Sequence, residues 1–335
     1  MAIQLYLNSY GMNLSVKDGI FHIKTKEGSK SVSPIKLDTI FIQKGISTTA
    51  DAIILAIQNQ IAVVFVDRNG NPVGRVWSNQ YGSIATIRKN QLLFSQSDEV
   101  TSWVVQRLTD KMDGQLAVLM SLQTSFDPEP HLKQGQDIIF QQKSKLEKTP
   151  VVSIKKMAST LRGIEGTASR AYFEAVSKSL PEPYRFKGRS QHPGLDRFNG
   201  ALNYAYGMLY TEVESALVKA GIDPYVGFMH RDEHNKPVLT YDVIEKYRVW
   251  ADYVIIKLCL EEVLFEEFFE VQPNGAYYLG PEAKRIVIQC MDDFLYEPTL
   301  FKGKQVSRKD QISAFCTSFA QELKAINDQK EEPPF

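Results

Sequence analysis

Cysteine is scarce in this chain, and the scarcity is informative. The three cysteines, Cys259, Cys290 and Cys316, form no CxxC pair and sit in apolar or helical-looking contexts. An odd count without zinc spacing argues against both a disulfide framework and a structural zinc site. Reduced, buried thiols are the expectation. Net charge is absent as well: 39 basic residues balance 39 acidic ones. That excludes a histone-like or polybasic-tail protein, but not a protein whose positive groups share one face. No apolar run approaches the roughly 18 residues needed to span a bilayer. The opening "MAIQLYLNSYG" lacks the basic and apolar regions of a secretory leader. A cytoplasmic protein without membrane contact is expected.

What is present changes character along the chain. The first seventy or so positions carry short alternating apolar runs, "IQLYL", "MNLSVKDGIFHIKT", "SVSPIKLDTIFI" and "AVVFVDRNGNPVGRV". Their β-branched residues, with turn signals at Lys17-Asp18-Gly19 and Arg68-Asn69-Gly70-Asn71, predict strands. One helix interrupts them at "TADAIILAIQNQ", with Thr48 or Thr49 as its N-cap. Beyond Ile84 the pattern becomes long and amphipathic, from "TSWVVQRLTDKMDGQLAVLMSLQ" to "DQISAFCTSFAQELKAIND". The expected fold is α+β: a small β-rich domain over residues 1–76, a linker over 77–93, and a large all-α domain over 94–327. Residues 328–335, charged and proline-ended, are expected to be disordered.

Three stretches carry candidate chemistry. "GFMHRDEHNKPVLTYDVIEKYR", residues 227–248, spells His-Arg-Asp as kinases do, yet position 237 is proline where that loop needs asparagine. His230 and His234 have zinc-protease spacing, but arginine stands where HExxH needs glutamate. A third reading joins His230 to Asp242 and Glu245, which share a face on a helix starting near Thr240. Equally, Thr240 could be an N-cap with Asp242 there for the helix dipole, and Glu245 a solvated charge.

In "LRGIEGTASRAYFEAV", Glu165 lies between Gly163 and Gly166 inside a helical pattern. Each glycine costs about 1 kcal/mol there relative to alanine, so a close approach to the backbone is one explanation and a kinked helix another. Arg162 and Arg170 flank the same carboxylate. Two glutamates and an imidazole make a hard donor set suited to Mg²⁺ or Mn²⁺ with open positions for phosphate oxygens. The third stretch, "YRFKGRSQHPGLDRFNGALNYAYGMLY", interleaves Arg185, Lys187, Arg189 and Arg197 with Tyr184, Phe186, Phe198 and Tyr204. It is either a phosphate-backbone contact surface or a solvated interhelical loop.

Taken in order, "RGIEGTASRAYF", "RSQHPGLDRFNGALNYAYGMLY" and "DPYVGFMH…LTYDVIEKYR" resemble the CRISPR-associated integrase family. The N-terminal stretch ending in "NGNPVGRVW" also fits that family's β-domain, so the resemblance covers nearly the whole chain. It implies that Glu165, His230 and Glu245 are the catalytic metal ligands, with Asp242 as a supporting or auxiliary acid. It implies a nuclease and integrase that joins 3′-hydroxyl ends of short duplex DNA (the prespacer) to a CRISPR repeat. Partners would be double-stranded DNA, a second copy of the chain and a small second CRISPR-associated protein. Arg162, Arg170, Lys187, Arg189 and Arg248 are the candidate DNA contacts. Gly194, where many members repeat proline, and the charged "RDEHNK" insert depart from the family pattern. Two readings from other classes stay open: a non-catalytic DNA-binding scaffold, and a helical metallohydrolase of small phosphate esters.

Overall fold

The computed structural model describes residues 3–59, 61–68, 70, 72–76, 85–123, 129–191, 193–230 and 236–326. The chain divides into two compact units, Met1–Gly82 and Ser83–Phe335.

Among its described residues, the first unit holds two four-stranded sheets, one α-helix and a 3-10 turn at Pro34–Lys36. Its elements are β1 (Ile3–Leu7), β2 (Asn13–Lys17), β3 (Ile20–Lys24), β4 (Ser29–Val32), β5 (Leu37–Gln43), β6 (Ser47–Thr48), α1 (Ala50–Gln58), β7 (Ala62–Val66) and β8 (Pro72–Arg75). One sheet runs β1-β5-β7-β8 and the other β4-β3-β2-β6. The β2–β3 hairpin turns on Asp18 and Gly19, both with positive φ, as an Asp-Gly two-residue turn requires. Of the two candidate caps, Thr49 is the one used: its hydroxyl accepts from the Ala52 amide. Leu14, Phe21, Ile40, Ile42, Ala56 and Val63 join both sheets and α1 in one core.

The second unit is mostly helical: α2 (Ala85–Ser95), α3 (Glu99–Ser121), α4 (Pro130–Glu147), α5 (Ile154–Ser179), α6 (Arg197–Lys219), α7 (Val238–Ile244), α8 (Arg248–Leu260), α9 (Pro281–Tyr296) and α10 (Arg308–Ala325). α6 is buried on every face from Phe198 to Val218, so the other elements pack around it. The glycine-flanked Glu165 segment is continuous helix within α5, without a break.

Three expectations need correction. The unit is not all-α: β9 (Phe269–Val271) pairs with β10 (Tyr277–Leu279), and β11 (Pro298–Phe301) with β12 (Lys304–Ser307). The second hairpin turns on Lys302 and Gly303, both at positive φ. Of the expected linker, residues 85–93 are helical, because Ile87, Asn90 and Gln91 of α2 are buried. Thr240 is no N-cap; it lies inside α7, which starts after Pro237, and it is fully buried. Residues 77–84 of the linker, the insert at 231–235 with His234, and the tail at 328–335 lie outside the described residues.

Candidate active site

Three segments of the helical unit converge on one cluster of charge. α3 contributes Lys111, α5 contributes Glu165, and the turn between α7 and α8 contributes Glu245. α3 can come this close to α8 because position 114 is glycine: a Cβ there would lie 2.5 Å from a Val249 methyl. Gly114 is thus a true close-approach glycine. Gly163 and Gly166 are not, since a Cβ at either would meet open space. They leave the exposed side of α5 bare next to Glu165.

The hydrogen bonds in the cluster are short and charged. Lys111 Nζ donates to Glu165 Oε1 at 2.5 Å and to Glu245 Oε2 at 2.6 Å. Arg248 Nε donates to Glu245 Oε1 at 2.8 Å, while its Nη2 reaches the Tyr210 hydroxyl at 2.8 Å. Ser169, one turn on from Glu165, donates to the same Oε1 at 2.7 Å. Burial favours the neutral acid at Glu245, but Arg248 and Lys111 outweigh it and hold the pKa at about 2. For Lys111 burial works downward, yet Glu245 and Glu165 together raise its pKa.

His230 is fixed by a separate device. Asp242, almost wholly buried, takes the backbone amides of Phe228, Met229 and His230 at 2.6, 3.1 and 3.1 Å. It also bonds His230 Nδ1 at 2.6 Å. With Nδ1 on a carboxylate, the imidazole presents Nε2 outward, the arrangement in which a histidine serves a metal. Burial tends to lower the His230 pKa, but the Asp242 bond and the charges of Asp242 and Glu245 raise it overall. Asp242 therefore supports the histidine, and its oxygens are spent on that task. Phe228 holds the loop down, edge-on to Trp103 and Phe94.

The geometry thus brings Glu165, Glu245, His230 and Asp242 to one region, with Arg248 among them. Among the described residues, no three His, Cys, Asp or Glu side chains converge tightly enough to form a ready metal cage. An ammonium lies at the point where the two glutamates meet.

The candidate DNA contacts divide. Arg162, Arg170 and Lys187 are exposed. Arg248 is committed to Glu245 and Tyr210, as above. Arg189 is turned inward, onto Asn199 and Asn203 at 2.6 Å each, and stacked beside Tyr206. The aromatics of the same loop are also interior. Phe186 stacks on Phe198 at 4.4 Å, and Tyr184 and Tyr204 are buried. Among its described residues, that loop offers no aromatic platform for bases.

Lys111 and Ser169 escaped the sequence reading. A signal for Lys111 existed: on α3 it continues the buried row Val100, Val104, Leu108, where a charged residue needs a partner.

The family model for "CRISPR associated protein Cas1" matches residues 5–293. The CRISPR-associated endonuclease Cas1 1 of Archaeoglobus fulgidus is 29% identical over 320 residues, covering 91% of this chain and 92% of that protein. Two solved structures share the fold. A casposase bound to integration product has a TM-score of 0.82 at 24% identity, covering 100% of this chain and 94% of its own. A Cas6-RT-Cas1–Cas2 complex has a TM-score of 0.78 at 22% identity, covering 98% of this chain and 35% of its own. With the model matched over most of its length, the chain belongs to the CRISPR-associated Cas1 family.

Proposed function

We propose that this chain is a divalent-metal-dependent DNA endonuclease and integrase of CRISPR adaptation. It joins 3′-hydroxyl ends of short duplex DNA to the CRISPR repeat by transesterification. The observation that carries the reading is the convergence of two carboxylates, Glu165 and Glu245, beside a histidine whose tautomer Asp242 sets. The relative from A. fulgidus is named an endonuclease, and the casposase of the same fold is bound to an integration product.

The donors suit Mg²⁺ or Mn²⁺: two hard carboxylates and one neutral imidazole. The pair already holds one cation, the Lys111 ammonium, and that supports the reading of a place for positive charge. Glu165, Glu245 and His230 Nε2 would hold the ion. When bound, a divalent ion neutralises phosphate oxygens and makes a nearby hydroxyl more nucleophilic. The remaining work falls to the protein. Asp242 keeps the imidazole aimed and Arg248 fixes Glu245. Arg162 and Arg170, on the helix that carries Glu165, hold the sugar-phosphate backbone without reading bases. Attack by a 3′-oxygen forms one phosphodiester as another breaks, so no external energy is needed. Attack by water at the same phosphorus gives a nick.

The chain works as a homodimer with a small second CRISPR-associated protein, on double-stranded prespacer and repeat DNA. A Cas1–Cas2 complex is among the structures of the same fold. No described helix is long and apolar enough to cross a membrane.

The test is transfer of a short duplex into a repeat-bearing plasmid, with Mg²⁺ or Mn²⁺ and the partner present. Glu165→Ala and His230→Ala should reduce transfer and nicking to background while duplex binding persists. Parental rates in either variant would overturn the site. Metal-independent binding with no covalent product under any condition would favour a scaffold instead.

A further inference from the structure

Lys111 is the least expected member of the cluster. It is 7% exposed, and its ammonium bridges the carboxylates of two residues far apart in sequence. Counted as charges, Glu165 and Glu245 are already matched by Lys111 and Arg248. A divalent ion added to that set would face two cations at contact distance from its ligands, which is unfavourable in a partly buried site.

The two cations are not equally free to yield. Arg248 is held at both ends of its guanidinium, by Glu245 and by the Tyr210 hydroxyl. Its plane also lies 4.9 Å from the Tyr206 ring and 5.4 Å from the Tyr210 ring. Lys111 has a flexible four-carbon stem and, among the described residues, only the two carboxylates to hold it. Ser169 donates to the same Glu165 oxygen at 2.7 Å.

Resting on the metal-site reading above, we propose that Lys111 is a built-in counter-cation. It occupies the position between Glu165 and Glu245 in the metal-free protein and must leave at least one of them for a divalent ion to bind. It offsets the repulsion between two neighbouring carboxylates in the resting protein and sets a threshold for metal loading. Affinity for the ion is then lower than the three ligands would give by themselves.

The experiment is a Mn²⁺ titration at neutral pH, read by the electron paramagnetic resonance of free Mn²⁺, with thermal unfolding with and without Mn²⁺. The proteins are wild type, Lys111→Met, Lys111→Arg and Glu165→Ala. Removing a unit charge this close should tighten Mn²⁺ binding by about tenfold or more in Lys111→Met. Lys111→Arg, which keeps the charge, should stay near wild type. Without Mn²⁺, Lys111→Met should melt below wild type, and adding Mn²⁺ should raise its melting temperature more than it raises wild type's. Binding in Lys111→Met no tighter than in wild type overturns the proposal. Should Lys111→Met fail to fold even with Mn²⁺, Lys111→Gln is measured instead, with the same two outcomes. Equal Mn²⁺ binding by wild type and Glu165→Ala would sink the metal-site reading itself, and the proposal with it. Metal bound through Glu165 but unaffected by Lys111 would sink the proposal alone.

Discussion

Glu245 stands just before α8 and Asp252 within it, and both side chains are buried in the helical unit. Burial pushes each toward the neutral acid. At Glu245 each oxygen accepts directly from a cation, Arg248 or Lys111, and the pKa falls to about 2. At Asp252 the direct donor is the Tyr206 hydroxyl at 2.6 Å, and Arg189, Lys111 and Arg248 act from further away. No Lys or Arg pairs with Asp252 among the described residues, and its pKa rises to about 6. Burial alone therefore does not mark a working carboxylate. The difference lies in whether cations touch the oxygens, and it separates a carboxylate kept ionised from one that is tolerated as part of the core.

The strongest way to break this comparison is to remove the matched carboxylate. Glu245→Ala leaves Arg248 positively charged and buried without its carboxylate and Lys111 with Glu165 alone, and an uncompensated buried charge of this kind costs about 3–5 kcal/mol. Urea unfolding at neutral pH should show that loss, together with abolished strand transfer. A variant as stable as wild type would mean that the cluster is far wetter than its geometry implies.

Asp252→Asn should do the opposite. A carboxyl whose pKa is raised from 3.8 to about 6 stabilises the fold fully below its unfolded pKa, and that contribution is lost as pH rises through about 6. At pH 7.5 the asparagine protein should therefore be more stable than wild type, by about 1–3 kcal/mol. The advantage should disappear near pH 4. For Glu245 the sign reverses: its depressed pKa gives stability present above 4.5 and lost as pH falls toward about 2. Unfolding free energies measured across this range should show the two slopes in separate windows. An Asp252→Asn protein with the same pH profile as wild type would erase the contrast.

Much of this architecture was legible in the residues, for physical reasons that also explain what was not. The first unit's strands and hairpin were readable because a half-buried sheet imposes alternation and Asp18-Gly19 imposes a turn. The Glu165 helix was readable through the apolar spacing around it. Its glycines pointed to a close approach or a kink that is not there, since the helix is unbroken and a Cβ at either would meet open space. The hairpins at 269–279 and 298–307 were missed because strands of three or four residues are too short to display a period. Asn274-Gly275 and Lys302-Gly303 were the only local signs of them. Glu165, His230 and Glu245 were named together through the resemblance of three ordered motifs to the CRISPR-associated integrase family; taken alone, each kept a structural explanation. Lys111 had a sign of burial in the row Val100, Val104 and Leu108, but its partners depend on how α3 meets α5 and α8, a tertiary fact. Arg189 and the aromatics around it were taken for a surface because composition does not say which way a loop's side chains turn.

The smallest effect gives the sharpest reading of Asp252. Tyr206→Phe removes the hydroxyl that donates to it, without adding or deleting charge. When Asp252 is ionised, the lost bond is one to a charged acceptor, worth about 2 kcal/mol; when it is protonated, the bond is neutral and worth about 1. Loss of the donor also disfavours the ionised form, so the pKa of Asp252 should move further up. The variant should accordingly be less stable than wild type at every pH, with a penalty about 1 kcal/mol larger at pH 8 than at pH 5. Urea unfolding at those two pH values checks it. A penalty that stays at about 2 kcal/mol at both pH values would mean that Asp252 is ionised at both, and that its distant cations hold it as firmly as direct contact holds Glu245.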